Sequence, residues 1–184
     1  MKPGFAILLL SLAPAWSQVA KPAALAAPGL PATKAARIPA QVIAGLERAF
    51  NNRLVTMADV NEAVDLLGDT RGVQLEDYGV VFTTEVSLVV TPGIMPGRPK
   101  IPPEMAARVH KSKVGRMPIL KAAMMEMMGN MAAAFTQIPA SHQLVLVVRL
   151  WYAPWEDTTG MPAQVIMRAD RASAAAGKVE TEER

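Results

Sequence analysis

Three aromatic rings and two carboxylates share one short stretch, Trp151-Tyr152-Ala153-Pro154-Trp155-Glu156-Asp157. Exposed rings of this kind stack on the faces of sugars or peptides. Paired carboxylates can flank a glycosidic bond as acid and base, provided they face each other across a cleft. Adjacent acids in a turn do not meet that condition by themselves. The one distant acid that stands out is Glu85, on the polar face of an expected strand. The stretch therefore reads first as packing at the end of a hairpin, with Trp155 capping an open edge of the core, and next as a ligand or partner surface. A further reading is a hydrolase that uses Glu85, Glu156 or Asp157 on an envelope polymer.

A second constellation is basic. Arg108, Lys111 and Arg116, with Ser112 between the last two, are spaced to lie along one side of a helix. A solvated helix face explains them, and so does contact with an anionic surface. Around them the charge is unevenly distributed. Residues 98–121 hold seven bases against Glu104 alone, and residues 56–90 hold seven acids against Arg71 alone.

The third constellation is soft. Met117, Met124, Met125, Met127, Met128 and Met131 crowd one segment, with Met105 and His110 before it. Thioethers can hold Cu(I) in an oxidising compartment, which makes a periplasmic copper carrier one alternative. However, Met124, Met128 and Met131 share a helical stripe with Leu120 and Phe135, and methionine fills irregular gaps in cores. Core packing is the simpler expectation.

Missing groups restrict the chemistry further. The chain has no cysteine and only two histidines, His110 and His142. A thiol nucleophile, zinc thiolates and a site with three histidine ligands are thus unavailable within one chain. No H-E-x-x-H, G-x-S-x-G, P-loop or G-x-G-x-x-G pattern occurs. His142 follows Ser141, but adjacency in sequence does not make a triad, whose geometry is built in space. No metal and no cofactor is expected.

The elements that position these residues follow from periodicity. A helix is expected from Pro39, with Val42, Ile43, Leu46, Phe50 and Leu54 on one stripe. A second is expected from Thr56, with Asp59 completing a variant capping box. Its buried face would be Met57, Val60, Val64 and Leu67, and Gly68 would end it, although residues 63–67 also suit an extended segment. The loop 68–72 leads to a short strand at 73–75, and the turn at 77–79 opens the clearest strand. There Val80, Phe82, Thr84, Val86, Leu88 and Val90 alternate with Val81, Thr83, Glu85 and Ser87.

Prolines and glycines mark residues 91–103 as a loop. A long helical region follows to about Gln137, which Pro118 must kink or divide. The branched run 144–152 reads as a central strand buried on both sides. After the turn at 154–160, residues 163–167 return as the second strand of a hairpin. Asp170 then caps a short helix before a loose charged tail. The expected architecture is an α+β domain: a small three- or four-stranded sheet, mainly antiparallel or mixed, with helices packed on one face.

The amino terminus supplies an expected address. Lys2 precedes the apolar run Phe5-Ala6-Ile7-Leu8-Leu9-Leu10, and Ala15-Trp16-Ser17 has the small-x-small pattern of a signal cleavage site. Residues 1–17 are read as a signal peptide, with Ala20 as an alternative cut, and residues 18–37 as an Ala/Pro-rich flexible leader. Residues 38–170 form the domain and 171–184 the short helix and tail. Pro14 and Gln18 stop the apolar run well short of the roughly 20 residues a spanning helix needs. No transmembrane segment is expected in the mature chain.

An exported cysteine-free protein suits a bacterial periplasm or exterior. Net charge of +3 is too small to suggest nucleic acid. The expected role is a non-enzymatic binding or interaction domain whose partner is an envelope protein or an anionic surface.

Overall fold

The computed structural model describes residues 37–57, 63–91 and 101–184. They form α1 (Ala40–Thr56), β1 (Asp65–Leu75), β2 (Gly79–Ser87), α2 (Pro103–Ala134), β3 (Gln143–Leu150), β4 (Gln164–Asp170), α3 (Arg171–Ala175) and β5 (Glu180–Glu183). The expected signal, nearly all of the leader, the middle of the expected second helix (58–62) and most of the proline-rich loop (92–100) lie outside the described residues.

The strands make one mixed five-stranded sheet in the order β1-β2-β3-β4-β5. Only β2 and β3 are parallel. Two antiparallel strands can be joined by a tight turn, whereas a parallel pair needs a long crossover. Here α2 is that crossover: 32 residues, about 48 Å of helix at 1.5 Å per residue.

The expected α+β class therefore stands, but the sheet is larger than expected, for two reasons. Residues 65–67, expected to close a helix, instead open β1 by pairing with the end of β2. Gly68, Asp69 and Gly72 look like loop residues, yet the strand carries them through two register shifts near Gly68. The tail is not loose either. Glu180 bonds Arg168 with both carboxylate oxygens (2.9 and 3.0 Å) and Glu183 pairs with Lys121, so an acidic segment becomes β5.

One core lies between the sheet and the helices. Leu46, Phe50 and Leu54 of α1 join Leu120, Met124, Met128 and Met131 of α2 against Val80, Phe82, Val86, Leu144, Leu146 and Val148. The Phe82 and Phe135 rings stack with centroids 6.2 Å apart. On β3 the side facing the helices is fully buried. The opposite side opens through half-buried Val147 to exposed Arg149, so burial on both sides holds only for part of that strand.

Pro118 leaves α2 undivided. It lies on the solvent side, and the carbonyl it deprives of a partner belongs to exposed Val114, where water can supply the missing bond.

Both sheet edges are protected. An edge strand presents unpaired N–H and C=O groups that invite another chain. On β1, Glu47 accepts from the Gly72 N–H (2.8 Å), and Asn51 accepts from the Thr70 N–H (2.9 Å) and hydroxyl (2.6 Å). Ile43, Glu47 and Asn51 recur every four residues, so one stripe of α1 seals this edge while the next fills the core. The β5 edge carries glutamates, whose like charges repel a second such strand.

Candidate functional site

The parallel strands β2 and β3 end side by side, and residues 151–157 leave from that end. The Trp151 N–H donates to the Val86 carbonyl (2.9 Å), which ties the start of the segment to β2. Lys113 reaches this point from α2. Its Nζ donates to the Trp151 carbonyl (3.1 Å), lies 4.8 Å from the Tyr152 ring centroid and sits 2.5 Å from Glu156 Oε2. The other Glu156 oxygen accepts from the Ala153 N–H (3.0 Å), and the Glu156 N–H donates to the Ala153 carbonyl (3.0 Å). The Lys113 and Glu156 side chains are only 2% and 1% exposed.

A charge removed from water is costly unless it is paired and hydrogen-bonded. Lys113 meets that condition through a carboxylate, a carbonyl and an aromatic face. Burial pulls its pKa below the ordinary lysine value, and the hydrogen bond and charge of Glu156 oppose the fall. Tyr152 donates its hydroxyl to the Pro162 carbonyl (2.7 Å) across the hairpin. Burial first, and the Glu156 charge second, push its pKa up to about 12.

Farther along the turn, His110 Nδ1 lies 2.9 Å from the Asp157 carbonyl oxygen, so Nδ1 carries the proton of that bond. The Asp157 carboxylate accepts from the Thr159 N–H (2.9 Å). Hydrogen bonds from Thr159 hold its pKa below the usual carboxylate range, with a smaller electrostatic contribution from His110.

Arg116, one turn beyond Lys113 on the same helix face, is also buried. Its guanidinium donates to the Leu88 carbonyl and reaches the Ala63 carbonyl at 3.5 Å. The Val90 N–H bonds the same Ala63 oxygen (3.1 Å), so Arg116 fastens the chain after β2 to the chain before β1.

The sequence-predicted residues thus separate. Trp151 is 39% exposed, and Tyr152 and Trp155 are half-buried beside it. Glu156 is not a surface acid but the buried partner of Lys113. Arg116 does not share a solvent face with Arg108 and Lys111. Those two are exposed on the side of α2 turned away from the sheet, because residues 109, 113, 116, 117 and 120 carry the buried stripe. Glu85 pairs in register with Arg149 and alternates with the core-facing Thr84 and Val86. It therefore points to the opposite side of the sheet from Glu156.

Met124, Met127, Met128 and Met131 are core residues, each at most 3% exposed. Among the described residues, no group of three or more His, Asp or Glu side chains gathers to hold a metal ion. Among them, too, no helix is long and apolar enough to cross a membrane.

Lys113 is the residue that the motif reading missed. Its signal was the stripe itself: carried back from Leu120 by steps of three and four, the buried register passes through Arg116, Lys113 and Val109. In comparisons with known proteins, no family model, no curated protein and no solved structure matches the chain.

Proposed function

We propose that the chain is an exported, non-enzymatic binding domain of the bacterial envelope or exterior, and that it meets its partner through residues 151–157. The observation that carries this reading is the burial of Glu156 against Lys113. A carboxylate held 2.5 Å from a buried ammonium, with its second oxygen on a backbone N–H, is committed to fixing the turn. It is not poised to pass a proton to a substrate. The clamp holds the segment so that Trp151 projects from an ordered backbone, and a pre-positioned aromatic residue loses little freedom on binding.

The hydrolase alternative needs two acids facing one cleft. Glu85 and Glu156 lie on opposite sides of the sheet, which weighs against it. The copper alternative needs accessible thioethers, and the sulfurs of the Met124–Met131 stripe are inside. The exported address rests on the amino-terminal sequence pattern, and the envelope setting rests on that address.

The partner is proposed to be an envelope protein, with Arg108 and Lys111 steering a negatively charged face toward the domain. The test is capture from envelope extracts on immobilised wild type, Trp151→Ala and the double variant Arg108→Glu/Lys111→Glu. Loss of the same partner by Trp151→Ala, with a salt-sensitive reduction for the double variant, supports the reading. Equal recovery by all three proteins removes residues 151–157 as the contact.

A further inference from the structure

The helices pack on one face of the sheet, against Val80, Phe82, Val86, Leu144, Leu146 and Val148. The residues that alternate with these point to the opposite, open face. Register sets Val73, Val81 and Val145 side by side there, and Thr83, Val147 and Ile166 in the next row. Val73 is 54% exposed, and Leu75, opposite Gly79, is 44% exposed. Val145 is buried although it stands outside the core cluster. A contiguous band of branched side chains with no second layer over it marks an interaction surface.

The next row of this face carries two charges. Glu85 and Arg149 are Cα partners across the parallel strands β2 and β3. Among the described residues, neither side chain has a hydrogen-bond or ion-pair partner. One unpaired acid and one unpaired base thus lie side by side next to the valine band.

We infer that the open face is the interface of a homodimer, in which two copies pack sheet on sheet. The two-fold axis runs along the strands, between β2 and β3, and lays β2 of each copy over β3 of the other. Val81 of each copy then faces Val145 of the other, Thr83 faces Val147, and Glu85 faces Arg149, each contact occurring twice by symmetry. Packed sheets lie about 10 Å apart, a gap that a glutamate and an arginine together span. The charges that stand unpaired within one copy are therefore the ones that the symmetry pairs between copies. An axis across the strands would instead lay β5 over β5 and oppose glutamates to glutamates.

The overlap covers β1 to β4. Four strands about 4.8 Å apart and about 26 Å long give about 500 Å² per copy, or about 1,000 Å² in total, the size at which specific interfaces begin. An interface of that size forms a reversible dimer.

The test is sedimentation analysis of the full chain from about 1 to about 200 μM, the range in which modest interfaces associate. Wild type is expected to pass from monomer to dimer. Glu85→Arg sets arginine over arginine and Arg149→Glu sets glutamate over glutamate, so each variant alone should associate about tenfold or more weakly. An equimolar mixture of the two variants should recover the dimer, because every charged pair across the interface is then of opposite sign. That recovery also shows both variants to be folded. The inference is overturned if wild type stays monomeric throughout the range, if either variant alone dimerises as wild type does, or if the mixture stays monomeric.

Discussion

Lys113 Nζ and Glu156 Oε2 are 2.5 Å apart at the end of the parallel strand pair, with both side chains almost entirely shielded from water. This pair joins the middle of a helix to the turn of a hairpin 43 positions later in the chain. It therefore fixes how residues 151–157 leave the sheet.

The β1 edge is held by two polar side chains of one helical stripe. Asn51→Ala removes the one acceptor, Oδ1, shared by the Thr70 N–H and hydroxyl, and Glu47→Ala removes the acceptor for the Gly72 N–H. Each should cost about 1–2 kcal/mol, the usual effect of leaving a partly buried donor unpaired. Urea unfolding measures that cost. Hydrogen exchange at the Thr70 and Gly72 amides should accelerate, and unchanged exchange at both would show that α1 does not seal the strand.

Gly79 should tolerate no side chain. Its φ is +142°, and an added Cβ would fall 1.9 Å from the Gln143 carbonyl oxygen, which is backbone and cannot step aside. Gly79→Ala must strain the start of the parallel pair from both causes. A loss above about 3 kcal/mol, or failure to fold, is expected by the scale of backbone strain and steric overlap. A near-neutral urea midpoint would contradict the β2–β3 register.

Tyr152 makes the fold sensitive to alkali. Its folded pKa of about 12 lies above the ordinary 10.0. Its contribution is therefore fully present below pH 10 and is lost as pH rises from 10 toward 12, because the unfolded chain releases the phenolic proton first. Lys113 acts in the opposite sense. With its folded pKa depressed, stability from that group rises as pH climbs toward 10.5. Urea midpoints above pH 10 should therefore fall more steeply for wild type than for Tyr152→Phe. Identical slopes would remove the phenol from the account.

Trp151 is expected to matter for recognition more than for folding. Trp151→Ala should shift stability by no more than about 1 kcal/mol, since the side chain is substantially solvent-exposed. A loss comparable to that of a core residue such as Phe50 would mean that the ring belongs to the core and is not a contact.

Sequence periodicity located most of the helices and strands for a plain reason: a single apolar face per element is what one core requires. The strand expected over 80–90, which ends at Ser87, the hairpin after Leu150 and the Asp170 cap were all readable, and the cap is seen in the bond that Asp170 accepts from the Ser173 N–H (2.8 Å). What escaped reading depended on partners far away in the chain. The middle of β1, residues 68–72, looked like a loop because Gly68, Asp69 and Gly72 favour turns locally, whereas pairing with β2 and capping by Glu47 and Asn51 make an extended strand the better solution. β5 looked like a loose tail because its charges were counted without Arg168 and Lys121.

The candidate site divides along the same line. Trp151 and its neighbours were legible because aromatic residues at a strand end are conspicuous in sequence. Glu156 and Arg116 were misread as surface groups, since nothing local to either residue reveals a buried ion pair or a carbonyl-bound guanidinium. Lys113 stood on the apolar stripe all along. A lysine at such a position is a sign of a buried partner, because an unpaired ammonium there would be too costly.

The clamp itself is tested most directly by a double-mutant cycle on Lys113→Met and Glu156→Leu, read from urea unfolding at neutral pH. Each single variant leaves one buried charge unpaired and should lose about 3–5 kcal/mol, while the double variant should recover part of that loss. The account predicts a double variant more stable than the sum of the single losses by about 2 kcal/mol or more. Additivity within about 0.5 kcal/mol would show that the two residues act independently and would contradict the clamp.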